Sequence, residues 1–291
     1  MQISSDCVPC GLKMILGVGR LVIDDSAEVD DFMRDVLRLP FFVNGDWHYT
    51  SPELAADMVA LLAERTGLAD PLAVVKRRQN ETALALLPAA RAVVTGAVDP
   101  LVEALKLAIV GNAIDAMTDA EASAPELLVT QLAETPLDGA QVAAFRDRLA
   151  AARTIAYLTD NCGEIVFDGV LLEVITREYE VDVTVVTHTS PILNDALLED
   201  ALFAGLDSLA RVVEGGNSRP LPGNYVAELA PDVQAIVLAA DLVVSKGVAN
   251  YELLSEENVL AGRVTYLIHG KCKPICDEHG ALLGELMVRN L

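Results

Sequence analysis

The chain has 291 residues, 52% of them hydrophobic, which is enough for a substantial core in one large domain or two small ones. Its 21 basic and 43 acidic side chains give a formal charge of −22 with no basic stripe to offset it, which argues against a nucleic-acid partner. No run reaches the ~18 uninterrupted apolar residues of a membrane span, and the first apolar stretch, broken by Lys13 and Arg20, lacks a signal peptide's basic leader and cleavage site, so a cytoplasmic protein is expected.

Residues 1–150 read as helix after helix. Cys7 to Ile23 is apolar and punctuated by glycines, and Ser26 caps a helix over Val29 to Leu37. Thr50-Ser51-Pro52-Glu53 combines a cap, a proline in the first turn and an early acid, and opens a helix that stops at Gly67. Asp70-Pro71 starts another, from Leu72 through Leu86 to a stop at Pro88; Asp99-Pro100 starts one to Ile109, and Thr135-Pro136 separates two more. The texture then changes. Strand-like runs at 154–158, 181–187, 210–213, 242–245 and 264–269 alternate with helical segments at 164–179, 195–206 and 232–239. This predicts an α/β fold, a largely parallel sheet with helices on both faces over residues 151–291, preceded by an all-helical N-terminal portion over 1–150. Gly215 to Asn224 is the one long turn-rich loop, expected at the rim of a site.

Chemistry concentrates at the strand ends. Asp160 and Asn161 follow the first strand and offer hard oxygen donors suited to Mg²⁺ or Mn²⁺, while Gly163 permits a tight turn. The same Asp-Asn also suits an ordinary turn and helix cap. Asp195 follows the second strand; loops after neighbouring parallel strands open on one edge, so Asp160, Asn161 and Asp195 are able to converge as an open octahedral site. Capping the helix from Ala196 is an equal use for Asn194-Asp195. Lys246, one of six lysines, ends a later strand between Ser245 and Gly247, where ammonium, hydroxyl and backbone N–H groups suit a phosphoryl group. A Lys-Gly pair with Asn250 nearby equally suits a plain turn.

Three segments, Asp160-Asn-Cys-Gly-Glu-Ile-Val-Phe-Asp168, Ser190-Pro-Ile-Leu-Asn-Asp195 and Ser245-Lys-Gly-Val-Ala-Asn-Tyr-Glu252, resemble the hallmark motifs of the metal-dependent damage-control phosphatases, long catalogued as a domain of unknown function. Gly111-Asn-Ala-Ile-Asp115 and Cys7-Val-Pro-Cys10 resemble the family's prokaryotic branch. The resemblance implies that Asp160, Asn161 and Asp195 bind one divalent metal (Mn, Co, Ni or Mg) and that Lys246 contacts the substrate phosphate, with Ser245 and Asn250 beside it. It further implies that Glu164 supports the site or positions water, and that Asn112 and Asp115 close the pocket from the helical half; a helix C-cap is the other reading of Gly111-Asn112. The activity implied is hydrolysis of small phosphorylated metabolites, sugar or cofactor phosphates, by metal-activated water, with Asp160 as covalent nucleophile the other route.

Two alternatives stay beside it: a module that senses a phosphometabolite without turnover, and a methyltransferase, which needs a richer glycine turn than Gly163 supplies after the first strand. The five cysteines include two close pairs, Cys7/Cys10 and Cys272/Cys276, whose spacing allows a structural Cys₄ zinc site joining the termini; buried thiols are the plainer reading. No pattern specifies an oligomeric state.

Overall fold

Six strands form one sheet in the order β3-β2-β1-β4-β5-β6 in a computed structural model that describes residues 1–45, 47–111, 135–217 and 219–291. The strands are β1 (Thr154–Leu158), β2 (Asp182–Thr187), β3 (Arg211–Glu214), β4 (Leu242–Lys246), β5 (Val264–His269) and β6 (Leu286–Asn290). All pairs are parallel except β5–β6, which is antiparallel. The central strand β1 places Leu158 opposite Val186 of β2 and Ser245 of β4. Chain order reverses there, because β2 and β3 extend to one side and β4 to β6 to the other. Ligands of open parallel sheets bind at such a reversal, beyond the carboxyl ends of the strands.

Alternation along β1 explains why both faces are covered. Ile155 and Tyr157 point into one core with Leu105 and Phe167, whereas Ala156 and Leu158 point into another with Val233, Tyr251 and Ile275. The helices are α1 (Cys7–Val22), α2 (Ser26–Val36), α3 (Pro40–Asn44), α4 (Ser51–Thr66), α5 (Ala73–Gly96), α6 (Pro100–Val110), α7 (Gly139–Ala151), α8 (Glu164–Glu178), α9 (Leu198–Phe203), α10 (Pro231–Ala239), α11 (Gly247–Leu254) and α12 (Lys273–His279). Helices α5 to α8 supply the first face, and α10 to α12 the second. Helices α1 to α4 close on a core of their own around Ile15, Phe32, Met58 and Leu62, which Ile192 from the α/β half completes. Residue 150 thus marks a change of secondary structure, while the core that contains Leu86, Leu105 and Phe145 continues across it into the sheet.

Two expectations need correction. Helix α5 does not stop at Pro88 but runs through it to Gly96, because buried Leu86, Leu87, Ala90 and Val94 hold both sides of the missing backbone hydrogen bond against the core. The strand β6 and helices α11 and α12 also lay outside the predicted elements. Among the described residues no helix is long and apolar enough to cross a membrane.

The start of α4 is as the sequence dictates. Thr50 accepts from the Glu53 N–H, and the Glu53 carboxylate accepts from the Thr50 N–H at 2.8 Å, a reciprocal cap. Thr50→Ala removes half of it and is expected to lower unfolding stability by about 1 kcal/mol in urea titration; an unchanged midpoint would show that the buried face of α4 alone sets its start.

Candidate functional site

The turn after β1 is tied to the turn after β2 by backbone. Ala196 N–H donates to the Asp160 carbonyl at 2.8 Å, Cys162 N–H to the Asn194 carbonyl at 2.8 Å, and His188 N–H to the Ala196 carbonyl at 3.0 Å, with Asn161 and Asp195 directly paired. These bonds bring Asp160, Asn161 and Asp195 to one edge, as the sequence predicts. Asn161 Nδ2 donates to Asp160 Oδ2 at 3.0 Å. His188 lies with Nε2 3.3 Å from Asp195 Oδ2, and burial together with the Lys76 charge pulls its pKa down to about 4, so the imidazole is neutral at pH 7. Leu193 reaches this turn with φ +45, a left-handed conformation rare for a branched side chain. Strain of this kind is tolerated where surrounding contacts fix it, here the burial of Ile192 in the helical core.

Helix α5 supports the turn from behind. Asn80 Oδ1 accepts from the Gly163 N–H at 2.7 Å while its Nδ2 donates to Asp200 at 2.8 Å, and Asn194 Nδ2 donates to Gln79 at 3.4 Å. Gly163, at φ +79, leaves 3.4 Å between a notional Cβ and Gln79, so α5 packs directly on the turn.

The third element is the end of β4. Gly247, at φ +78, lies under Asp160 so closely that a Cβ there would stand 1.9 Å from Asp160 Oδ2. Strand alternation sends Ser245 and Lys246 to opposite faces, so they do not form one clamp as expected. The Ser245 hydroxyl is buried and has no hydrogen-bond partner among the described residues. Lys246 is fully buried: its Nζ donates to the Ala108 carbonyl at 2.9 Å, to Asp168 Oδ1 at 2.6 Å and to Glu164 Oε1. Asp168 Oδ1 also accepts from the Tyr157 hydroxyl at 2.7 Å. Burial pulls the ammonium down, but the Asp168 and Glu164 carboxylates outweigh it and hold Lys246 above its usual range. One cation cannot neutralise two carboxylates. Burial, opposed by Lys246 and aided by Asp160 and Asp168, raises Glu164, and burial opposed by Lys246 and Tyr157 raises Asp168, so the pair holds a proton more readily than free carboxyls do.

Asn250 is buried with both amide protons used, on the Thr159 carbonyl at 3.0 Å and the Lys246 carbonyl at 2.9 Å, and its Oδ1 accepts from Asn224 at 3.0 Å. It therefore clamps the ends of β1 and β4 together rather than presenting donors to a ligand. The end of the Gly215-to-Asn224 loop is docked on the same place, since a Cβ at Gly223 would meet the Ala249 carbonyl carbon at 2.7 Å. Asn112 and Asp115 lie outside the described residues. Sequence reasoning missed Tyr157, Asp168, Gln79, Asn80 and the cradle at Gly247. Asp168 alone carried a local signal, standing one helical turn after Glu164.

The donor set suits a hard divalent cation: two carboxylates and one amide oxygen, with Gly247 keeping the space for Asp160 clear. The four-thiolate zinc set that the cysteine spacing allows is not assembled among the described residues. Cys272 senses Cys7, Cys10 and Glu252, but Cys276 faces Glu285, Asp277 and Lys273 and donates to the Leu282 carbonyl at 3.6 Å. Among the described residues no three His, Cys, Asp or Glu side chains are grouped to hold a metal. Burial pushes the Cys272 thiol up to about 12 and Cys162 higher still, which leaves both unreactive at neutral pH.

Comparison with known proteins places the chain in a family. The chain is 31% identical over 290 residues to a protein of Archaeoglobus fulgidus named "Damage-control phosphatase", covering 99% of each chain. It is 31% identical over 175 residues to "Damage-control phosphatase PH1575" of Pyrococcus horikoshii, covering 60% of each. The crystal structure of a DUF89 family protein (PH1575) from Pyrococcus horikoshii superposes with a TM-score of 0.86 at 25% identity over the whole of both chains. Residues 3–287 match the damage-control phosphatase ARMT1-like domain, and the chain belongs to that family.

Proposed function

We propose that this protein is a metal-dependent phosphatase acting on small phosphorylated metabolites, sugar or cofactor phosphates. The observation that carries the reading is the convergence of Asp160, Asn161 and Asp195 at the point where strand order reverses, with Gly247 packed against Asp160 and the buried Lys246 just before it in the chain. The names of the two phosphatase relatives support it.

A divalent cation held by those three residues, manganese, cobalt, nickel or magnesium, would neutralise phosphoryl charge and acidify water. The remaining work falls to the chain. Helix α11 begins at Gly247, so its first N–H groups open towards the strand edge, where an anion is favoured. Lys246, just before Gly247, is paired with Glu164 and Asp168, and its ammonium offsets the negative charge of phosphoryl transfer as one of those carboxyls gives way or takes up a proton. Glu164, whose raised pKa suits it to exchange a proton near neutrality, is the residue to take up or return one.

The test is hydrolysis of p-nitrophenyl phosphate with Mg²⁺, Mn²⁺, Co²⁺ and Ni²⁺ in turn, comparing wild type with Asp160→Ala and Lys246→Ala. Activity is expected to require metal and to fall by roughly 10²–10³ or more in each variant. Turnover that survives Asp160→Ala would place the chemistry elsewhere. Metal-bound protein that hydrolyses neither this ester nor sugar and cofactor phosphates would make the chain a sensor.

A further inference from the structure

We propose that Asp168, braced by Tyr157, is the permanent partner of Lys246 and a positioning residue of the site, and that Glu164 is the partner given up when a phosphoryl group arrives. The second half rests on the phosphatase reading; the first does not.

An ammonium has three protons, and those of Lys246 are all taken, by Ala108, Asp168 and Glu164. A phosphoryl oxygen therefore reaches Lys246 only if one acceptor leaves. The Ala108 carbonyl belongs to the backbone of α6 and stays where α6 is packed. Asp168 sits in the second turn of α8, and the oxygen that meets Lys246 also accepts from Tyr157 on the central strand. Moving it breaks two buried hydrogen bonds at once. Glu164 is the first residue of α8, directly after the metal-loop turn and close enough to Asp160 to feel its charge. Its Oε1 meets Lys246, and its Oε2, like Asp168 Oδ2, is buried with no hydrogen-bond partner among the described residues, so the Tyr157 hydroxyl is the hold that Asp168 has and Glu164 lacks. Of the three acceptors, Glu164 is the one least held by other groups and the one beside the oxygen donors. A phosphoryl oxygen taking its place keeps a negative partner on Lys246 and frees the Glu164 carboxyl to face the reacting group.

The experiment is proton-exchange spectroscopy of ¹⁵N-labelled lysine side chains in the full, Mg²⁺-loaded chain, with the Lys246 signal assigned by its absence in Lys246→Arg. Wild type and Glu164→Gln are expected to show a slowly exchanging Lys246 ammonium. Exchange should be about tenfold faster in Tyr157→Phe, from loss of one buried hydrogen bond, and faster again in Asp168→Asn. If Asp168→Asn fails to fold, Tyr157→Phe, which removes a single oxygen, decides alone. A signal lost in Glu164→Gln but kept in Tyr157→Phe and Asp168→Asn would overturn the assignment of the permanent partner. Inorganic phosphate is then titrated in. It should shift the Lys246 signal and bind Glu164→Gln at least as tightly as wild type, but bind Asp168→Asn at least tenfold more weakly. Phosphate binding weakened in Glu164→Gln and unchanged in Asp168→Asn would overturn the exchange. Absence of any phosphate-induced shift in a wild type that also hydrolyses no phosphate ester would remove the phosphatase reading and the exchange with it, while the Asp168 anchor is judged by the first arm.

Discussion

Gly247→Ala is expected to abolish high-affinity metal binding and turnover in a protein that still folds. The new Cβ would stand 1.9 Å from Asp160 Oδ2 and 2.3 Å from its Cγ, so the carboxylate has to move. A shift of about 1 Å in a positioned group costs on the order of 10²-fold in rate. The backbone pays as well, because φ +78 is unfavourable for any side chain by about 1–2 kcal/mol. Gly262 supplies the control: it has φ +82, but a Cβ there meets nothing within 4 Å. Gly262→Ala should therefore show a similar loss of stability with activity intact. Calorimetric titration with Mn²⁺ separates the two effects. Equal metal affinity in Gly247→Ala and wild type would mean that Asp160 is not a ligand in the position described.

The second large effect is on stability. Lys246→Met keeps an unbranched stem but removes the ammonium, leaving Glu164 and Asp168 buried without a cation, and breaking such a pair costs roughly 3–5 kcal/mol. The sign with pH follows from the direction of the shifts. In wild type, Glu164 already has its pKa raised from 4.5 to about 8, so its contribution is fully present below about pH 4.5 and is lost as pH rises through about 8. Without Lys246 the lowering influence on both carboxyls disappears, and the same trend steepens. Urea unfolding should show a much larger deficit for Lys246→Met at pH 8 than at pH 5. A deficit of the same size at both values would identify lost packing of the lysine stem as the cause, not unpaired charge.

The convergence of Asp160, Asn161 and Asp195 was legible because it follows from topology alone: turns after adjacent parallel strands share an edge, and alternating strand and helix patterns imply such a sheet. The bounds of β1 were legible for a related reason. Thr154 to Leu158 is a short apolar run that a polar turn ends at once. The burial of Lys246 was not legible. Its partners come from α6 and α8 and its neighbour Tyr157 from β1, and no local pattern announces that three elements will enclose a lysine. Helix α11 escaped because Gly is a poor helix former, so Lys246-Gly247 read as a turn; the glycine is required there by its contact with Asp160 and not by the helix. Strand β6 escaped because it pairs antiparallel at the edge and ends in Arg289 and Asn290, with little apolar alternation to mark it.

The reach of Lys246 along the chain also has a consequence for biosynthesis. It closes contacts with Ala108 and Glu164 over separations of 138 and 82 residues. At ~5–20 residues per second on the ribosome, Glu164 and Asp168 emerge roughly 4–16 seconds before the lysine that neutralises them. Until then the first turns of α8 hold two acids facing an apolar sheet, and docking that helix is opposed by their desolvation. A nascent chain stalled before β4 should therefore stay open along this seam and sensitive to protease within residues 164–178. Synthesis of a single lysine would be the event that lets the start of α8 dock against the sheet.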